Sequence, residues 1–168
     1  MTSSQVKRLT VDAMLLGVAM MLSYLEAILP LSLAIPLPGA KLGLCNVAIM
    51  LCFYKVSPAD ALILTLMRTG LTSLLFGNIS SFVFSLFGAL LAYGGMYIGR
   101  VLGDKVSYYG ISVLCATLHN IGQCIAGALL LGGISIFSYL PLLLIFAVIF
   151  GLITAAVITP VMRLFKNA

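Results

Sequence analysis

Long apolar runs separated by short polar breaks are the dominant pattern of this 168-residue chain. The runs are about 20 residues long, which is the length that an α-helix needs to cross ~30 Å of hydrocarbon. They do not alternate with a period of two residues, as the strands of a transmembrane barrel would. The pattern therefore predicts an all-α membrane protein, a bundle of about six transmembrane helices that forms a single domain over residues 1–168.

Prolines, glycines and charged residues mark where the predicted spans begin and end. The predicted spans are Leu9–Leu29, a short Lys41–Tyr54, Pro58–Phe76, Ile79–Leu102, Ser107–Leu131 and Tyr139–Leu164. Pro58 and Asp60 suit the first turn of a helix, because proline needs no hydrogen-bonded N–H there and an acid complements the helix dipole. Gly77 and Asn78 are typical of a tight turn between two spans.

Composition supports the membrane assignment. The chain is 62% hydrophobic and 8% charged, with a mean hydropathy of +1.24, whereas a soluble domain has about 25% charged residues. The net charge of +5 does not indicate nucleic-acid binding, since the basic residues form no stripe with interleaved aromatic residues. The four cysteines lie inside apolar runs without a CxxC or Cys/His pattern, which is typical of small packing residues.

The basic residues indicate the orientation of the chain. With the N-terminus inside, the inner segments hold Lys7, Arg8, Lys55, Arg100, Lys105, Arg163 and Lys166. The outer segments hold Lys41 alone. Because cytoplasmic loops carry an excess of lysine and arginine, both termini are predicted to be cytoplasmic. The expected location is the cell membrane, as a multi-pass protein, in a bacterium.

Arg68 is the sharpest single signal. It lies near the middle of the third predicted span, where an arginine costs at least ~2.5–3.5 kcal/mol and should face a partner or a water-filled cavity. Thr65, Thr69 and Thr72 lie on the same helical face and complete a polar stripe. Arg68 could bind an anion, or it could form a structural ion pair with Glu26; the sequence leaves both readings open.

His119, Asn120 and Gln123 form a second polar group, within one and a half turns of the fifth span. Three hydrogen-bonding side chains so close together are not expected to face lipid. They would supply donors and acceptors to a polar ligand, or they would hydrogen-bond neighbouring helices. A metal site is not expected, because the chain has one histidine and no acidic residue lies near it in the sequence.

The segment Pro36–Asn46 interrupts the apolar pattern near the predicted outer face. Its prolines and glycines would set a bend. Lys41 and Asn46 would face inward beneath it, with Glu26 at the outer mouth, although Lys41 could instead extend to the interface. Counting residues places these groups above Arg68 and beside the His119–Gln123 turn. The segment is therefore predicted to be the lid and first wall of a ligand site.

Pairs of small residues four apart recur along the spans and permit close helix contact. They are Ala13 with Gly17, Gly88 with Ala92, Gly95 with Gly99, Gly122 with Ala126, and Gly151 with Ala155. Internal packing explains most of them. The pair Ala13 and Gly17 could instead dock a partner protein.

Several chemistries are missing from the sequence. It has no P-loop, no GxGxxG after a strand and no acidic cluster that would chelate Mg²⁺ on a diphosphate. It has no Ser/His/Asp arrangement and no pair of catalytic carboxylates. The chain is therefore expected to bind a solute without being an enzyme, and no cofactor is expected.

Several short elements together resemble one family. Lys41–Asn46 (KLGLCN), Arg68 one span later, Gly77, Ser85–Gly88 (SLFG) and His119–Gln123 (HNIGQ) look like the family named Gx transporter or heptaprenyl diphosphate synthase component I. The resemblance covers the chain from about Leu9 to Ile158. The first and last elements are weak singly and fairly specific together.

That family in turn resembles the substrate-binding (S) components of energy-coupling factor transporters. The resemblance implies a six-helix membrane protein that captures a vitamin-like solute from outside. The implied partners are a transmembrane coupling protein and two cytoplasmic ATPases. The implied ligand site comprises Lys41, Asn46, Arg68, His119, Asn120 and Gln123, and the implied docking face comprises Ala13 and Gly17. Such docking motifs are usually alanine-rich, and Gly17 departs from that pattern.

Three hypotheses result. The first is an S-component-like protein that binds a small anionic or amide-rich, partly apolar solute. The second is a membrane accessory subunit of a polyprenyl (heptaprenyl) diphosphate synthase in menaquinone synthesis, which the enzyme-style family name implies. The third is a small structural membrane protein whose polar groups pair with each other.

Overall fold

The computed structural model of the protein describes residues 2–28 and 43–164. Six α-helices make up almost all of these residues, and no strand occurs in them. The helices are α1 (Ser3–Ile28), α2 (Asn46–Lys55), α3 (Pro58–Phe76), α4 (Ile79–Leu102), α5 (Tyr108–Leu131) and α6 (Leu140–Leu164). Two short 3₁₀ segments, Gly103–Lys105 and Ile134–Tyr139, connect the last three helices. The predicted all-α fold is confirmed.

Local chemistry sets the helix ends. The side chains of Ser57, Asn78 and Ser107 each accept a hydrogen bond from a backbone N–H in the first turn of α3, α4 and α5. These N–H groups have no partner within the helix, so the caps stabilise the starts. Gly132 ends α5 in the left-handed conformation at φ 67°, which glycine adopts without steric cost. The predicted boundaries at Pro58 and at Gly77–Asn78 are confirmed.

Five of the six helices are long and apolar enough to cross a membrane. The chain is therefore a multi-pass membrane protein. The exception is α2, which has ten residues and a length of about 15 Å, half of the ~30 Å hydrocarbon layer. The second predicted span, Lys41–Tyr54, begins too early, because its apolar residues do not reveal that the helix begins at Asn46.

Two contacts show that α1 and α3 are parallel. Arg8 Nε and Nη2 donate to Asp60 at 2.6 and 2.7 Å near the starts of both helices. The rings of Tyr24 and Phe76 lie 4.9 Å apart near their ends. Both pairs are separated by 52 residues in the sequence. The two helices therefore keep one register along their whole length.

The remaining helices alternate in direction. The hydroxyl of Tyr93 on α4 donates to the Pro58 carbonyl oxygen at the start of α3, and Asn120 on α5 donates to the Leu143 carbonyl oxygen on α6. The starts of α1, α3 and α5 consequently lie at the same end of the bundle as the ends of α4 and α6. Lys55, at the end of α2, lines a groove there with Arg8.

We call this end the basic end, because it holds Lys7, Arg8, Lys55, Arg100, Lys105 and Arg163. Within residues 2–28 and 43–164, the opposite end holds no lysine or arginine. The structure thus shows the segregation of basic residues that the sequence predicts. The side of the membrane that the basic end faces, and with it the location of the termini, stays a prediction.

Small residues join α4 to α5 and α5 to α6. A Cβ added to Gly122 would lie 2.5 Å from the Phe87 carbonyl oxygen on α4, and one added to Gly151 would lie 2.7 Å from Cα of Val113 on α5. Backbones approach this closely only where a side chain is missing. The pair on α1 differs, since Ala13 and Gly17 are exposed and nothing lies within 4 Å of a Cβ built on Gly17.

Candidate functional site

Arg68 is fully buried in the middle of α3, with an exposed fraction of 0%. Its Nε and Nη2 atoms have no hydrogen-bond acceptor among the residues that the structure describes. A buried guanidinium that lacks an acceptor is costly, since the desolvation of a polar group is not compensated unless it is hydrogen-bonded. The side chain therefore presents two unused donors inside the membrane-embedded part of the bundle.

The threonine stripe beside Arg68 is buried, as the sequence indicates. The hydroxyls of Thr65, Thr69 and Thr72 donate to the backbone carbonyl oxygens four residues earlier, at 2.7, 2.7 and 2.8 Å. Such bonds satisfy a hydroxyl within its own helix. The threonine hydroxyls are thus satisfied within α3, and they supply no acceptor to Nε or Nη2 of Arg68.

Glu26 does not pair with Arg68. The backbone N–H of Leu44 donates to Glu26 Oε1, and the ion pair recorded within the described ranges is the one between Arg8 and Asp60. The parallel register explains this, because the residue of α1 at the depth of Arg68 is Leu16. Glu26 lies ten residues farther along, about 15 Å along the helix axis at 1.5 Å per residue.

Ser85 on α4 lies at a depth similar to that of Arg68. The two residues are about 9 and 12 Å from the Gly77–Asn78 turn that joins antiparallel α3 and α4. Ser85 is 0% exposed, and its Oγ also lacks a hydrogen-bond partner in the part of the chain that the structure describes. Ser85 is not among the residues that the sequence predicts for the site, although it lies in the SLFG element that contributes to the family resemblance.

His119 and Gln123 form a buried pair on α5, each with an exposed fraction of 1%. Gln123 Nε2 and His119 Nε2 lie 3.1 Å apart. The imidazole ring lies between two glycines, because a Cβ on Gly88 would be 2.8 Å from His119 Cε1 and a Cβ on Gly43 would be 3.4 Å from Cδ2. Neither glycine stands out in the sequence as a residue that holds this ring.

Asn120 has a structural role in this arrangement. It is 4% exposed, and its Nδ2 donates to the Leu143 carbonyl oxygen of α6 at 2.6 Å. Of the two readings that the sequence left open, the hydrogen bond between helices is the one observed for Asn120. Its neighbour His119 instead lies against Gly88 of α4 and Gly43 before the start of α2.

The residues at the start of α2 contact both His119 on α5 and Glu26 on α1. Gly43 adopts φ +81°, a conformation that favours glycine, and it lies against both His119 and the Asn46 amide. The next residue, Leu44, donates to Glu26. The predicted wall formed by Asn46 is thus in contact with the His119 region. Lys41, the other predicted residue of this wall, lies outside the described residues, as does most of the predicted lid.

The structure therefore brings His119, Gln123, Gly43 and Asn46 together and places Arg68 and Ser85 at one depth on α3 and α4. Helix α4 contacts both α3 and α5. No cluster of three His, Cys, Asp or Glu side chains that could hold a metal occurs in the described ranges. The chemistry available is hydrogen-bond donation from a cation, an amide and an imidazole in an apolar surrounding.

Comparison with known proteins identifies one family. The model of the family described as heptaprenyl diphosphate synthase component I matches residues 15–161. No curated protein and no solved structure matches the chain. The matched range includes the site residues on α2 to α5 and excludes the first turns of α1.

Proposed function

The chain belongs to the heptaprenyl diphosphate synthase component I family, and from this premise we propose that it is a membrane-embedded solute-binding protein. It would act like the S component of an energy-coupling factor importer and would take its solute from the side opposite to the basic end. The membrane would be the cell membrane of a bacterium, with the basic end in the cytoplasm. We propose no catalytic step for this chain.

The observation that carries the proposal is the buried guanidinium of Arg68, whose Nε and Nη2 have no acceptor among the described residues. Intramembrane charges normally pair with one another or mark the path or site of a ligand. An ion pair with Glu26 would explain Arg68 without a ligand, but the described part of the structure shows no such pair. Glu26 Oε1 instead accepts a hydrogen bond from the backbone N–H of Leu44. An anionic group on the solute would supply the missing acceptor and form charge-assisted hydrogen bonds.

The other residues of the proposed site indicate the remaining chemistry of the solute. Most side chains of the bundle are apolar, so the transfer of a partly apolar molecule from water into the bundle would cost little free energy. Ser85, His119 and Gln123 would supply additional hydrogen bonds. The proposed class is accordingly a small, vitamin- or cofactor-like anion, such as a flavin-like, quinone-related or isoprenoid-diphosphate compound.

The exposed pair Ala13 and Gly17 supports the proposed partners. The other small pairs are buried in contacts between helices of the bundle. Ala13 and Gly17 are exposed, so they can contact lipid or another protein. A small-residue face permits close approach of a second membrane helix. We propose that it docks a transmembrane coupling protein that carries two cytoplasmic ATPases.

Mass spectrometry of small molecules that co-purify with the protein tests the binding function. The variants are Arg68→Gln and, as a matched control, Arg163→Gln, which removes an exposed arginine at the basic end. We expect one anionic species with the unmodified protein and with R163Q, and at least tenfold less of it with R68Q. Equal retention by R68Q, or no anionic species with any of the three, would contradict the proposal.

The family description favours a second candidate, a membrane component of heptaprenyl diphosphate synthase. In this case the active site would lie on a soluble partner, and Arg68 would hold the diphosphate of a prenyl chain. Affinity capture of the tagged chain distinguishes the two functions. Capture of ATPases supports the importer, whereas capture of a prenyl diphosphate synthase whose activity depends on this chain would replace it by the second candidate.

A further inference from the structure

A groove lies between α1 and α2 at the basic end, far from Arg68. Its volume is about 490 Å³, and it is lined by Lys7, Arg8, Val11, Leu15, Leu51, Lys55 and Val56. The lining divides into two zones, a cationic mouth and an apolar wall. Neither the family match nor the proposed solute site accounts for it.

The mouth of the groove combines three cations, Lys7, Arg8 and Lys55, and no acidic residue lines it. Lys7 and Lys55 are exposed. Arg8 is fixed in position by its two hydrogen bonds to Asp60, which also balance its charge. Two lysines on different helices therefore stand at one opening beside an immobilised guanidinium, an arrangement that attracts an anion.

The wall of the groove is apolar. Val11 and Leu15 lie one turn apart on α1, and Leu51 lies one turn before Lys55 on α2. From Lys7 to Leu15 the helix advances about 12 Å, at 1.5 Å per residue, so the wall extends from the membrane surface into the hydrocarbon layer. A free anion would leave this wall uncovered, whereas an amphiphile would contact both zones.

We propose that this groove is a binding site for an anionic phospholipid of the leaflet at the basic end. The phosphate group would lie between Lys7 and Lys55, and an acyl chain would follow Val11, Leu15 and Leu51. Basic pockets between membrane helices on the cytoplasmic side select anionic head groups in this way. The positive-inside orientation places the groove in that leaflet. The inference does not depend on the Arg68 site, because no residue is shared between them.

Native mass spectrometry of the purified full chain with phosphatidylglycerol or phosphatidylcholine tests the proposal. We expect the unmodified protein to bind phosphatidylglycerol at least tenfold more tightly than phosphatidylcholine. The double variant Lys7→Gln and Lys55→Gln should lose roughly 30-fold in affinity for phosphatidylglycerol, since each lysine near an anionic surface contributes about fivefold. Lys7→Arg with Lys55→Arg should retain the affinity.

Two further variants distinguish binding in the groove from non-specific electrostatic attraction of anionic lipid to the basic end. Lys105→Gln with Arg163→Gln removes the same charge from the basic end outside the groove and should leave binding unchanged. Val11→Phe fills the wall without changing charge and should weaken binding, so it decides the question even if the lysine variants fold poorly. Equal losses in K7Q/K55Q and K105Q/R163Q, equal affinity for the two lipids, or competition by millimolar inorganic phosphate would overturn the proposal. Arg68→Gln should keep lipid binding, so this result is independent of the solute site.

Discussion

Arg68, the residue that carries the proposed function, is expected to lower the stability of the solute-free protein. Its guanidinium is fully buried and two of its donors lack an acceptor in the described structure. Burying a polar group without a partner costs about 1–3 kcal/mol, and more for a charged one. A solute-binding role therefore implies that the empty protein is less stable than it would be with an apolar residue at this position.

Arg68→Met tests this reasoning, because methionine fills a similar volume without charge. We expect the free energy of unfolding of the solute-free protein to rise by about 1–3 kcal/mol, measured by thermal or denaturant unfolding in detergent. Solute retention should be lost at the same time. A variant that is less stable than the unmodified protein would instead show that Arg68 has a structural role.

Gly88 tests how the His119 ring is held. A Cβ at this position would lie 2.8 Å from His119 Cε1 and 2.9 Å from Nδ1, so Gly88→Ala should displace the imidazole and cost about 1–3 kcal/mol of stability. The control is Gly94→Ala on the exposed face of the same helix, where nothing lies within 4 Å. It should be neutral or stabilising by up to ~1 kcal/mol. Equal effects of the two substitutions would mean that the ring is not fixed by Gly88.

At the level of helices, the seam between α4 and α5 is the most constrained contact. Gly122 approaches the backbone of Phe87 and Gly88, and a Cβ there would lie 2.5 Å from the Phe87 carbonyl oxygen. A backbone atom cannot rotate away as a side chain can. Gly122→Ala should therefore lower the free energy of unfolding by about 2–4 kcal/mol. This is a larger loss than the one expected for Gly88→Ala.

The matched control for the seam is Gly70→Ala on α3, where nothing lies within 4 Å of the new Cβ. Thermal unfolding in detergent compares the two variants. Because the seam positions His119 on α5 against Gly88 on α4, G122A should also reduce solute retention, whereas G70A should not. A stable G122A protein with normal retention would show that the two helices can separate at no cost.

The sequence predicts the helices better than it predicts their contacts. Pro58–Phe76 and Ile79–Leu102 agree with α3 and α4 at both ends, because a proline, a capping residue or a glycine marks each boundary. The start of α2 has no such mark, so the predicted second span begins five residues before Asn46, where the helix starts. The pairing of Arg68 with Glu26 could not be decided from the sequence either, since it depends on the parallel register of α1 and α3.

For the whole molecule, the distribution of charge is the feature that relates the fold to the membrane. Apart from Arg68, every lysine and arginine in the described ranges lies at the basic end. The sequence predicts this segregation from spacing alone, and the helix directions account for it. If the basic end faces the cytoplasm, the proposed solute would enter from the exterior, and the proposed lipid groove would lie in the inner leaflet.

Single-cysteine labelling in whole cells tests that orientation. The four native cysteines are buried and should react little. Ala59→Cys and Ser80→Cys place one exposed cysteine in the first turn of α3 at the basic end and of α4 at the opposite end. A membrane-impermeant maleimide should label S80C in intact cells and A59C only after lysis. The reverse labelling pattern would show that the basic end faces the exterior. The solute would then have to enter from the cytoplasm, which would exclude its capture from outside.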